Sequence, residues 1–138
     1  MTKVERGDVW LYDYLWSRQH EAGETEGRKP RPIALVAAFK DANGKTNLII
    51  LAITSTPPTP HRLALEIPEL ERRRAGLDDD KPLWIIVDEF NHDILETTYY
   101  FSTSGKIGHF GEAFHKHAFG QLLNNIRTKI AKRVPRRE

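Results

Sequence analysis

Arg31-Pro32-Ile33-Ala34-Leu35-Val36-Ala37-Ala38-Phe39-Lys40-Asp41-Ala42-Asn43-Gly44-Lys45-Thr46-Asn47-Leu48-Ile49-Ile50-Leu51-Ala52-Ile53-Thr54 is two apolar runs about an Asn-Gly pair. That pair between apolar runs is the strongest short-range hairpin signal, because a tight turn needs residues that accept positive φ. The near-continuous apolar character of 32–39 describes a central strand covered on both faces, and 47–54 is its partner. Pro32 cannot donate a ladder hydrogen bond, so it belongs at a strand start or an edge. It also biases Arg31 towards extended backbone. A permanently charged, planar guanidinium is thereby held at the mouth of a sheet. Counting outward from Asn43-Gly44, Arg31 and Thr54 reach nearly the same level of the ladder, to within one residue.

The flanking chain supplies more short strands. Residues 7–15 are rich in aromatic and branched side chains and read as a strand. Residues 17–30 are polar and read as a long surface loop. Residues 61–67 alternate and describe an edge strand. Residues 68–76 form a short helix: Pro68 is placed at the first helical residue, Glu69 and Glu71 in the first turn, Arg72, Arg73 and Arg74 in the last, and Gly76 at the cap. A strand is expected over 83–90 and a weaker one over 97–102. From Glu112 to Arg133 the period becomes helical, with Phe114, Ala118, Leu122, Ile126 and Ile130 on one stripe. Gly120 within it costs about 1 kcal/mol relative to Ala, offset if it permits close packing. The expectation is a mainly β protein with α elements (α+β). Five or six strands would form one domain over 1–138, a small sheet curled into a barrel, with the terminal helix covering an opening or a face.

Composition narrows the possibilities. The chain has 138 residues, 39% hydrophobic and 29% charged, with a net charge of +2. Those are values of a soluble globular protein with a real core. No apolar run approaches a membrane span, and Met1 to Arg6 carry no secretory pattern. With no cysteine, disulfides, thiolate metal sites and Cys nucleophiles are excluded. A cytoplasmic location fits. Charge is more telling locally: six residues from Arg127 to Arg137 are basic and none acidic. That is either a solvated helix end or a contact for phosphate or a partner.

Three groups of residues could carry chemistry. Arg31 is preceded by Arg28 and Lys29, all suited to phosphate. Thr54, Ser55 and Thr56 end the second strand of the hairpin. Asp88, Glu89, Phe90, Asn91 and His92 end the 83–90 strand. Each has a plainer reading: a strand-start Arg in a salt bridge, a Thr-Ser-Thr-Pro-Pro turn, a strand end. His115 and His117 lie two apart on a helix and point in different directions, so a surface helix is the better reading than zinc binding. Asp78-Asp79-Asp80 reads as a solvated turn rather than a magnesium cage.

The order Arg6-Gly7-Asp8-Val9-Trp10, His20-Glu21, Gly27, Arg31-Pro32 leading into Leu35-Val36, Ala52-Ile53-Thr54-Ser55 and Val87-Asp88-Glu89, closed by the amphipathic helix, resembles the MazF/PemK toxin family. These are endoribonucleases of bacterial type II toxin–antitoxin pairs, and the likeness spans nearly the whole chain. It implies a small SH3-like barrel shared with the gyrase poison CcdB, a homodimer, a cognate antitoxin protein as partner, and metal-independent cleavage of single-stranded RNA with no cofactor. The resemblance further implies that Arg31 and Thr54 form the catalytic pair, with His20 and Asp88 contributing. Arg28, Lys29, Ser55, Thr56 and Asn91 are the expected substrate contacts. The chain departs from the family in a longer loop between His20 and Arg31, and in Ile86, where some members carry Arg.

The chemistry is simple. RNA carries its own nucleophile, the 2′-hydroxyl. Arg31 suits the charge that develops on phosphorus. His20, an imidazole, is the natural acid–base candidate. The competing readings are a CcdB-like toxin acting on gyrase and a non-catalytic SH3-like interaction module. Against the first, the basic tail lacks an aromatic end.

Overall fold

A computed structural model describes residues 4–25, 29–78, 80–98 and 100–136, the side chains of 102–104 excepted. Its elements are β1 (Asp8–Tyr12), α1 (Ser17–Glu21), β2 (Arg31–Lys40), β3 (Thr46–Thr54), β4 (Ala64–Glu66), α2 (Glu69–Arg74), β5 (Trp84–Ile86), β6 (Glu89–Ile94), β7 (Phe101–His109), α3 (Glu112–Arg127) and β8 (Lys132–Arg136). Among the described residues the protein is mainly β with three helices. The sheet runs β4-β5-β3-β2-β1-β7, with β6 branching from β3 and carrying β8. Every pairing is antiparallel except β6 with β8. Among the described residues no ladder joins the rims into a closed barrel.

The β2–β3 hairpin forms as its sequence requires, closed by a five-residue loop over 41–45. Lys40 pairs with Thr46, and Gly44 takes a φ of +76°. Asp41 organises the loop by accepting from the amides of Asn43 and Lys45. A β-bulge then shifts the ladder between Leu35 and Ala37. Side-chain alternation lets the two faces of the hairpin serve two cores. Ala34, Val36, Leu51 and Ile53 join Val9, Ile85, Phe110 and, from α3, Ala118 and Leu122. Ile33, Leu35, Leu48, Ile50 and Ala52 face the other way, against Trp10, Tyr12, Tyr14, Trp16 and Ile86. Burial on both faces explains the lack of polar alternation in 32–36.

Several expected elements differ. The expected 83–90 strand is two. Ile50 pairs with Asn91 on β6, whereas Ile53 and Thr54 pair with Ile85 and Trp84 on β5. β3 thus passes from one partner to the other, and the chain turns at Val87-Asp88 between them. The buried Asn125 side chain donates to the Val87 carbonyl at 2.7 Å and ties α3 to that break. The weak 97–102 strand is the nine-residue β7. The 17–30 loop begins with α1, in which Gln19 accepts from the Trp16 amide at 3.0 Å, half of a capping box.

α2 ends as expected: Gly76, at φ +73°, donates to Arg73, and Leu77 donates to Arg72, a Schellman motif. α3 ends at Arg127 with the same motif, although its left-handed residue is Lys129 at φ +62°. Beyond it the basic tail is not a helix end. It becomes β8, parallel to β6, with Arg136 only 2% exposed, donating to the Asp13 carbonyl and to Asn91. Gly120 serves no close packing among the described residues, where a Cβ would meet nothing within 4 Å.

Candidate active site

The bulge decides the geometry of the site. Without it, the spacing set by Lys40 and Thr46 would place Arg31 opposite Ser55. The extra residue moves β2 on by one, so that Ile33 faces Ala52. The β2–β3 ladder ends at that pair; continued two residues further, the same register would bring Arg31 level with Thr54. Directly opposed residues share a face, and a one-residue slip puts them on opposite faces. On its other side Arg31 pairs with Tyr12 of β1. Arg31 and Thr54 accordingly line the same two grooves, of about 280 and 410 Å³. Arg31 also lines a third, of about 330 Å³, with Tyr14, Trp16, Arg18, Gln19 and Lys29.

Arg31 is half-buried, and its guanidinium lies 5.2 Å from the centre of the Trp16 ring. Among the described residues no carboxylate pairs with it. Burial, then the charge of Arg18, lowers its pKa. Among the described residues this cation is thus held without a compensating carboxylate, which leaves its donors open to an anion. Thr54 Oγ1 accepts from the Thr56 amide at 3.0 Å, which leaves the hydroxyl proton available. Ser55 and Thr56 are exposed beside it, and both line the larger groove together with Lys29. Arg28 lies outside the described residues.

The remaining expected site residues are placed otherwise. His20 is exposed on α1 and lines none of these three grooves. Asn91 is fully buried. Its carboxamide accepts from the Leu15 amide at 2.9 Å and donates to the Leu15 carbonyl at 2.7 Å, so it fixes the chain entering α1. Asp88 sits at the β5–β6 break, and both its oxygens are occupied. Oδ1 accepts from Arg62 Nε and Nη2 at 3.1 and 2.7 Å, and Oδ2 from the Leu63 amide at 3.1 Å. On α3, His115 is buried and stacks on Phe119 at 6.1 Å, so it is not on a surface face. Burial, then the charge of Arg6, lowers its pKa.

Trp16 and Arg62 are site residues that sequence reasoning missed. Trp16, at the start of α1, is 8% exposed and has three guanidiniums around it, those of Arg18, Arg31 and Arg62, at 5.3, 5.2 and 6.0 Å. A lone tryptophan opening a polar segment was the available signal. Arg62 had none, because an edge strand puts a charged residue at every second position as a matter of course. Glu89, 3% exposed, completes the floor. It accepts from Arg62 at 2.9 Å, from the Ser17 amide at 2.9 Å and from the Tyr14 hydroxyl at 3.1 Å. Burial and then this carboxylate push the Tyr14 phenol well above its usual range.

No family model and no curated protein sequence matches the chain. The site is therefore read from its own geometry.

Proposed function

We propose that the protein is an endoribonuclease of the MazF/PemK kind, the toxin of a type II toxin–antitoxin pair on an SH3-like scaffold. The reading is carried by one observation: an arginine with no carboxylate partner among the described residues and a threonine hydroxyl line one groove, beside an aromatic ring and further cations. Such a groove suits a single-stranded nucleic acid backbone, which needs cations for phosphate and an aromatic surface for bases.

In this reaction the 2′-oxygen attacks the adjacent phosphorus in line. A P–O2′ bond forms and the P–O5′ bond breaks, giving a 2′,3′-cyclic phosphate and a 5′-hydroxyl. Arg31 binds the non-bridging oxygens and stabilises the charge that grows on them. Thr54 donates its hydroxyl proton to the same phosphate or orients the 2′-hydroxyl. The 2′-proton passes to solvent and the departing 5′-oxygen takes one back. His20, exposed on the helix that follows Trp16, acts through that solvent rather than by direct contact. The protein works in the cytoplasm as a homodimer without a metal or cofactor, and a cognate antitoxin covers the basic groove.

The test is cleavage of single-stranded RNA by the Thr54→Val variant, which removes the hydroxyl and keeps the shape. A loss of about tenfold or more in rate is expected, with wild-type activity persisting in EDTA and no cleavage of the corresponding DNA. Intact RNA with wild-type protein, accompanied by trapped gyrase–DNA complexes, would replace this reading with a gyrase poison. Rescue by magnesium of an EDTA-sensitive activity would refute the metal-independent mechanism.

A further inference from the structure

We propose that Arg62 is a second phosphate-binding guanidinium of this groove, gripping the nucleotide phosphate next to the one held by Arg31, and that Asp88 is its positioning residue. The inference rests on the endoribonuclease reading and adds a contact that the sequence motifs do not contain. Arg62 lines the groove of about 280 Å³ together with Trp16, Arg18, Arg31 and Thr54. Arg31 and Arg62 both approach the Trp16 ring, at 5.2 and 6.0 Å. Two cations are thus anchored by one ring and line the same groove, as two successive phosphates of a single strand require.

The hydrogen-bond accounting supports a binding role. A guanidinium has five N–H donors. Nε and Nη2 are taken by Asp88 and Glu89. The two on Nη1 have no partner among the described residues. The carboxylates fix the side chain in one rotamer, so the entropy of ordering it is already spent before RNA arrives. Their negative charge opposes an incoming phosphate, but each of the four carboxylate oxygens already accepts a hydrogen bond. That also assigns Asp88: to take a proton from a 2′-hydroxyl it would first have to release Arg62 or Leu63, so it holds Arg62 instead.

The experiment uses the full chain and a fluorescent, uncleavable 2′-O-methyl oligoribonucleotide, with affinity measured from 50 to 300 mM salt. Each phosphate contact on a single strand contributes about −0.7 to the slope of log K against log salt. Arg62→Gln is expected to make the slope shallower by about 0.7, as is Arg31→Gln. Arg62→Lys is expected to keep the wild-type slope while lowering cleavage about tenfold, because the charge remains and the clamp does not. If Arg62→Gln proves poorly folded by circular dichroism, the double variant Arg62→Gln/Asp88→Asn removes cation and anion together and is measured instead. Asp88→Asn alone is expected to leave the slope unchanged and to slow cleavage, which Arg31→Gln cannot mimic. An unchanged slope in folded Arg62→Gln or in the double variant, with Arg31→Gln behaving as stated, overturns this inference alone. Failure of the wild type to bind or cleave any RNA overturns the endoribonuclease reading with it.

Discussion

Replacing Arg31 with Met separates function from stability, and the structure gives the size of both effects. Met keeps an unbranched, polarizable chain against Trp16 and removes only the charge. The substitution deletes one stabilising cation–π approach at 5.2 Å, about 0.5–1 kcal/mol for a partly exposed pair. Against this, burial acts on Arg31 to disfavour its charged form, and no carboxylate among the described residues repays it. The two terms nearly cancel. A change of at most about 1 kcal/mol is expected, which moves Tm by about 2–5 °C in a domain of this size. The catalytic term has no such offset. Losing one preorganised donor to a developing oxyanion costs about 10²–10³ in rate, and Arg31 offers two donors, so at least about 10³ is expected. The assay is the initial rate of single-stranded RNA cleavage, with product ends identified as cyclic phosphate and 5′-hydroxyl, beside a thermal melt of the same preparation. Cleavage within threefold of wild type, or a Tm drop beyond about 10 °C, would show that Arg31 is a structural residue.

Four further predictions concern the scaffold. Gly120→Ala is expected to stabilise by about 0.5–1 kcal/mol, since the helix interior prefers Ala and nothing among the described residues lies within 4 Å. Gly108→Ala, whose Cβ would fall 2.5 Å from the Ala75 carbonyl oxygen, is expected to cost about 2 kcal/mol or more; thermal melts of the pair should move in opposite directions. Glu89→Ala removes the acceptor shared by Arg62, Ser17 and Tyr14 and should cost about 3 kcal/mol, the low end for a broken buried pair because Arg62 keeps Asp88. Urea midpoints check it, and a cost below about 1 kcal/mol would contradict the buried clamp. Burial raises the Asp93 pKa despite bonds from Thr98, Tyr12 and the Ile94 amide. The native state then binds the extra proton between the unfolded and the raised folded pKa, so this residue's contribution makes stability rise as pH falls through that window. The stability of wild type relative to Asp93→Asn should increase from pH 7 towards pH 4; a fall would refute the sign.

Local chemistry settles some features of this protein, and the sequence by itself determined those. Asn-Gly demands a hairpin, Pro32 fixes where β2 can begin, and Gly76 with its neighbours ends α2 in a Schellman motif. The same motif ends α3 invisibly, because a lysine holds the left-handed position that glycine usually marks. Carrying that helix on to Arg133 therefore followed from its composition, and so did missing β8. Other features depend on partners distant in sequence. β3 changes neighbour between Ile50 and Ile53, which splits an apolar run that has no local reason to break.

The site shows the same division. The residue types and the hairpin that brings Arg31 near Thr54 are written in the chain, but only to within one residue of register. Which face they occupy depends on the single extra residue of the bulge at Val36, and side chains alternate with a period of two, so tertiary packing of the two cores had to decide it. The floor beneath them is farther still from the motifs. Arg62, Trp16 and Glu89 meet only because three separate segments converge there, and no periodicity along a chain records such a meeting.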